Sequence, residues 1–311
     1  MWLAYHGAHA DKEGLEGLAP SATLAALRPT LHGDERYVMA ANLEALDAGV
    51  RAVADALEAT GRDYVLVVHS DNGPTSCTNF LWGSAAPLRG GKFTAFEGAL
   101  KVPAFVYAPT LLGLGEGRTF RGLAHHVDWY ATLLGLNGVV MDDPASDSHD
   151  LWPALLATAD GDEHATGRDT IVFEATATSV VVRRGDFKLI RGFTNATWYA
   201  GLEGADLEMC FPGSQDDFLF DVENDPRERT NLIGDAAYAP LARELAALGR
   251  AAWAAEGYDV PRTRTTVYKH NDKLHDAWLR STDRPALRVV TPWGCDVEHI
   301  DGSTSSGGAG P

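Results

Sequence analysis

Residues 64–73, Tyr64-Val65-Leu66-Val67-Val68-His69-Ser70-Asp71-Asn72-Gly73, constrain the fold more than any other stretch of the chain. Residues 64–68 are apolar at both alternating sets of positions and are bounded by turn formers. That pattern predicts a strand buried on both faces, and hence a parallel strand of an α/β sheet. Its end delivers a carboxylate, Asp71, and an amide oxygen, Asn72, and open α/β sheets take their ligands at that edge. Adjacent Asp and Asn suit a hard cation, and Gly73 lets the chain turn closely around it. Farther on, Pro87-Leu88-Arg89-Gly90-Gly91-Lys92 brings Arg89 and Lys92 on a glycine-flanked loop. A cation site beside a basic loop is the pairing an anionic substrate requires.

The rest of the composition narrows the partner. The chain of 311 residues has a formal charge of -17, with no basic stretch able to neutralise a phosphate backbone, so a nucleic-acid partner is excluded. An anionic ligand must therefore be met by local positive charge, from a metal, Arg89 or Lys92. The three cysteines, Cys77, Cys210 and Cys295, form no CxxC pair and no disulfide framework, and their pairing is left open. No segment is apolar and long enough to span a membrane, and no signal peptide is visible. Met1-Trp2-Leu3-Ala4-Tyr5 reads as a strand that begins without a leading cap, from which an upstream portion is expected.

In chain order, residues 2–6 read as a strand, and residues 10–34 as a surface loop with a short helix near Thr23 to Leu27. Residues 36–60 are the clearest helix, with Leu43, Leu46, Val50, Val53 and Leu57 on one stripe and Gly61 as the C′ residue. Strand 64–68 follows, then a strand over 102–107. Residues 128–136 form a helix with Asp128 available as N-cap. A polar connector, helical at 151–156, leads to a strand at 171–174. From residue 178 the pattern changes. Ser179 to Arg184 and Phe187 to Arg191 alternate around a Gly185-Asp186 turn, which signals a hairpin. Another strand at 218–221, a turn at 224–228 and a helix over 235–256 complete a small antiparallel sheet with a packed helix. The expected fold class is α/β, with a mainly parallel or mixed sheet, plus a small α+β subdomain. The domains are then 1–177 and 178–300, with a flexible tail at 301–311.

The segments AYHGAH, VLVVHSDNG, PLRGGKFTAFEGALKVPAFVYAP, HHVDWYATLLGL, VVRRGDFKLIRG and FLFDVENDPRERTNL, in this order, resemble the C-terminal two-thirds of a type I sulfatase. The likeness is strongest to the arylsulfatase B type and its I and J relatives. It implies an alkaline-phosphatase-like fold and hydrolysis of sulfate monoesters by a hydrated formylglycine with a calcium ion. Asp71 and Asn72 match two of the family's calcium ligands, and Lys92 matches the lysine on the sulfate oxygens. His9 matches the histidine near the leaving-group oxygen. The physics of these roles stands apart from the likeness. A divalent ion and an ammonium can hold a sulfate's charge, and a histidine can supply a proton to a leaving alkoxide.

The departures from the family are equally specific. No C/S-x-P-x-R nucleophile motif occurs, and the paired N-terminal aspartates of the metal site are absent. The formylglycine is expected in a missing N-terminal part, and the chain is expected to be a fragment that is inactive alone. The partner implied is a sulfated small molecule or sulfated glycan, in a secreted or lysosomal setting. Asn195-Ala196-Thr197 fits a glycosylation sequon, so a glycoprotein is also expected. Two alternatives stand beside this reading. One is a non-catalytic sulfatase-like protein that binds sulfated glycan or a partner. The other is a phosphodiesterase or phosphatase of the same superfamily, in which Asp-His pairs hold zinc. Read singly, the residues are less specific: Asp-Asn-Gly is commonly a turn, Lys92 a solvated side chain and His9 a structural histidine. His125 and His126 read as packing residues, with a pocket edge as the alternative, and Trp82 and Trp198 as cleft or core.

Overall fold

A computed structural model of the chain describes residues 1–5, 9, 20–27, 36–74, 83–92, 94–112, 117–141, 143, 146–176, 178–192 and 217–256. Cys77, Cys210, Cys295, the 195–197 sequon, Trp82 and Trp198 lie outside the described residues. The described elements are α1 (Ser21–Leu27), α2 (Arg36–Glu58), β1 (Leu66–His69), α3 (Glu97–Leu100), β2 (Ala104–Tyr107) and α4 (Asp128–Leu136). They continue with α5 (Trp152–Ala157), β3 (Thr170–Ala175), β4 (Val180–Arg184), β5 (Phe187–Arg191), β6 (Phe218–Asp221) and α6 (Ala239–Glu256). They all fall within one compact unit, Met1–Pro261.

Helix α2 follows its periodicity and ends where expected, with Gly61 in the left-handed region at φ 62°. Its fully buried positions are Val38, Ala41 and Asn42, and Asn42 donates to the Val38 carbonyl at 2.9 Å. The stripe Leu46, Val50, Val53 and Leu57 is half-buried, whereas Leu43 falls at the edge of the buried face and is exposed. Met1–Tyr5 is not the strand expected: it has no regular structure, and Trp2, Leu3 and Tyr5 are exposed. A short apolar run becomes a strand only when another strand pairs with it, and among the described residues no strand pairs with this one.

Strand β1 departs from the sequence reading in direction and burial. It pairs antiparallel with β2, Leu66 opposite Tyr107 and His69 opposite Ala104, and all four of its residues are half-buried. The chain between the two strands explains the direction. It returns to the end at which β1 finished, where Ser70 N donates to Pro103 O at 3.2 Å and Gly73 N to Ala99 O at 2.9 Å. The next strand can then only run back along the first. Among the described residues β1 and β2 form a sheet of two strands.

The larger sheet has the order β3-β4-β5-β6 and is antiparallel throughout. A division at residue 177/178 falls in the connection between β3 and β4, so β3 belongs by pairing to the sheet of the second portion. The period-two alternation of side chains sorts this sheet into two faces. Val180, Val182, Leu189 and Leu219 pack against Ala242, Leu245 and Ala246 of α6. Val181, Ile190, Phe218 and Phe220 pack against Ala95 and Phe96, just before α3. One face thus carries a helix. The other carries the end of the loop that holds Arg89 and Lys92.

Candidate functional site

The turn after β1 is fixed by backbone contacts. Ser70 Oγ donates to Asn72 O at 2.8 Å, and Gly73 is held through its amide on Ala99 O. A Cβ on Gly73 would lie 1.8 Å from Gly98 O, so only glycine lets the turn approach α3 this closely. Gly98 in turn donates to Arg89 O at 2.7 Å, and a Cβ there would meet Arg89 O and Gly90 O at 2.5 Å. Lys92 N donates to Pro74 O at 2.8 Å. The structure therefore brings together the Asp71–Gly73 turn and the Lys92 loop, with α3 between them as a spacer.

Asp71 is exposed, and Asn72 and Lys92 are half-buried. An exposed carboxylate beside an amide on a pinned turn supplies hard oxygen donors, so the two fit a calcium ion as part of a ligand set. Among the described residues no group of three or more His, Cys, Asp or Glu side chains is arranged to hold a metal ion. His9 is exposed at a bend between residues outside the described set, and its assignment to the site rests on resemblance alone.

Arg89 is not the second substrate cation that the sequence suggested. It is buried, its Nη1 donates to Glu228 O at 3.0 Å, and its guanidinium carbon sits 3.8 Å from the Phe96 ring centroid. Phe218 and Phe220 complete this aromatic seat at 5.1 and 5.7 Å. A guanidinium stacks well on aromatic faces and keeps its charge there. Its task is to fasten the loop.

Next to Arg89 lies a cluster that sequence reasoning missed. Lys188 Nζ is 2.9 Å from Glu97 Oε1 and 2.6 Å from Glu228 Oε1, and all three residues are buried. Glu228 Oε2 accepts from the Glu97 amide at 2.7 Å, and Arg183 Nη1 lies 3.3 Å from Glu97 Oε2. Burial alone would push the Glu97 carboxyl up, but Lys188 and then Arg183 outweigh it and hold the group below the usual range. Burial raises Glu228, with Glu97 adding to the rise and Lys188 opposing it. Glu228 also holds φ at 52°, a conformation costing a non-glycine residue of order 1–3 kcal/mol. Contacts from Arg89, Lys188 and Glu97 over-determine it. The one signal in the sequence is Lys188, a charge two positions from Ile190 and so on the same strand face as that apolar residue.

A second group gathers around His125 and His126. The His125 and His126 rings stand 4.2 Å apart, and Phe173 meets His125 edge-on at 6.0 Å. Burial lowers the His125 pKa to about 4, with His126 and Arg168 repelling its proton further. Burial also lowers His126, and His69 at the end of β1 is near enough to repel its charge. Trp2 lies edge-on to His69 at 6.2 Å. Asp128 does not cap α4 as expected but organises this region from beneath. Its carboxylate accepts from the His125 amide at 2.7 Å, the His149 amide at 3.0 Å and Arg168 Nε at 3.1 Å.

Among proteins of known sequence, the sulfatase family profile matches residues 5–139. Mouse (Mus musculus) arylsulfatase J is 31% identical over 160 residues, which is 50% of this chain and 25% of that protein. Human (Homo sapiens) arylsulfatase A is 28% identical over 209 residues, 64% of this chain and 39% of that protein. The chain thus spans well under half the length of these curated relatives. Among solved structures, Ps i-CgsB superposes with a TM-score of 0.59 at 21% identity, covering 82% of this chain and 52% of that one. This likeness carries the fold. The β1 tip and the Lys92 loop fall inside the profile match, and the solved fold agrees with it: residues 5–139 of the chain are similar to the sulfatase family.

Proposed function

We propose that the chain carries part of a sulfuric-ester hydrolase site, in which Asp71 and Asn72 hold a calcium ion and Lys92 holds a sulfate oxygen. The observation that carries this reading is the Lys92 N to Pro74 O hydrogen bond, which seats the lysine loop on the turn that follows Asp71 and Asn72. The ion supplies charge stabilisation for the sulfate oxygens when it is bound. Lys92 contributes a compact point charge whose backbone is already fixed, so little ordering is needed when the anion arrives. His9 donates a proton or hydrogen bond toward the leaving-group oxygen. The nucleophile lies outside residues 1–311, because no C/S-x-P-x-R motif occurs among them. The chain alone therefore binds a cation and a sulfated ligand but does not turn it over. The ligand class is a sulfated small molecule or sulfated glycan.

The test has two arms. Residues 1–311 are assayed on a chromogenic aryl sulfate with calcium, and no turnover above buffer is expected. Terbium luminescence then reports the cation site, with Asp71→Asn weakening it about tenfold, or about 1.4 kcal/mol. Lys92→Ala should leave terbium binding intact while weakening inorganic sulfate binding in its presence. Turnover by the chain alone overturns the division of the site. Equal terbium binding by the parent and Asp71→Asn overturns the metal assignment.

A further inference from the structure

Asp71, Asn72 and Lys92 all precede α3, and a buried ion cluster ties the start of α3 to the four-stranded sheet. Lys188 sits between two carboxylates from distant parts of the chain: Glu97, 91 positions away, and Glu228, whose contact with the Glu97 amide spans 131 positions. Lys188 points to the face of the sheet opposite α6, since its strand neighbour Leu189 packs on α6 and Ile190 packs with Phe96. Glu97 begins α3, and α3 supplies the contacts that fix both site segments. Ala99 O receives Gly73 N at 2.9 Å, and Gly98 N reaches Arg89 O at 2.7 Å. The Lys92 amide closes the circuit on Pro74 O. Every step from Lys188 to the two site segments is therefore a hydrogen bond, an ion pair or a glycine contact too close for a Cβ.

We propose that Lys188, Glu97 and Glu228 are positioning residues that lock α3 to the four-stranded sheet and, through α3, set the backbone of Gly73 and Lys92. This rests on the reading of Asp71, Asn72 and Lys92 as the site, but the positions of those backbones can be measured without it. A buried ion cluster is by itself weak evidence for stability, because apolar replacements of similar volume are often neutral. A cluster kept for position behaves differently. Its loss frees one segment and leaves the rest of the fold as it was.

Amide hydrogen exchange in the Lys188→Met variant of residues 1–311 separates these roles. The expected result is exchange at Gly73 and Lys92 accelerated about tenfold or more beyond any change at the α6 amides of Leu245 and Ala246, which report the general cost of the uncompensated carboxylates. Glu97→Gln, which keeps the volume and part of the hydrogen bonding, is read in the same way and decides the matter if Lys188→Met does not fold. No acceleration at Gly73 and Lys92, or an acceleration shared equally by α6, overturns the proposal. Terbium and sulfate binding are measured on the parent chain in parallel. If the parent binds neither, the functional reading fails while the exchange data still decide whether Lys188 positions these segments.

Discussion

Asp128 shows how much one carboxylate can organise. It is wholly buried, and with Arg168 it joins the start of α4, the His149 segment and the approach to β3. Arg168 also donates to Asp147 O and, at 3.1 Å, to Thr170 O, so protein groups hold most of its guanidinium. Removing the carboxylate leaves that guanidinium buried and uncompensated, which costs about 3–5 kcal/mol. Asp128→Ala should lose that much in urea unfolding, and a loss within about 1 kcal/mol would show that water reaches Arg168. His125 offers a pH test beside it. Its folded pKa of about 4 lies below the ordinary 6.5, so between these values only the unfolded chain takes up a proton. Stability is therefore unaffected by this residue near neutrality and falls as the pH drops from 6.5 toward 4. His126 is lowered too and acts in the same direction. His125→Gln should reduce the difference in urea midpoint between about pH 7.5 and pH 5, and an unchanged difference would remove His125 as its cause. At this scale the sequence disclosed types better than partners. Asp71, Asn72 and Lys92 stood out because their chemistry is local to a turn and a loop. Asp128 looked like a cap because its partner, Arg168, is 40 positions away.

Among the elements, those governed by neighbours in sequence follow their patterns closely. The β4–β5 hairpin turns at Gly185-Asp186, β6 spans Phe218–Asp221, and α2 and α6 match their periodicity to within a turn. What periodicity did not disclose is whatever depends on a distant partner. Residues 64–68 carry the same apolar run whether their neighbour is parallel or antiparallel, and only the return of the chain through Gly73 and Ala99 decides it. Helix α3, spanning only Glu97–Leu100, is too short to show a period and exists because Glu97 is held by the far sheet. Phe96 provides the apolar share of that attachment. It is fully buried, with ring centroids 5.6 Å from Phe218 and 6.2 Å from Phe220. Phe96→Ala should therefore cost about 3–5 kcal/mol, and Phe96→Leu clearly less, as read by chemical denaturation. Equal losses for the two would mean that the ring's fit in this seat contributes nothing beyond being apolar.

Over the whole molecule, net charge and local charge oppose each other. The formal charge of -17 repels an anion at long range, while at the proposed site Lys92 and a bound cation would attract it. Salt screens the long-range part first, since the Debye length is about 30 Å at 0.01 M and about 8 Å at 0.15 M. The association rate of a sulfated ligand should therefore rise with salt across that range, as followed by stopped flow. A rate that falls steadily would show that the local positive field governs the approach. Composition could announce the excess of acid, but not that two of its carboxylates are spent on Lys188 within the core.

The face of the four-stranded sheet that carries Phe218, Phe220 and Lys188 is also the surface on which the Lys92 loop rests. For the proposed site, the length of polypeptide needed to hold an anion would then be set by residue 228 rather than by residue 92. A stop codon placed between those positions would spare every side chain assigned to the ligand and remove the foundation that keeps their backbone in register.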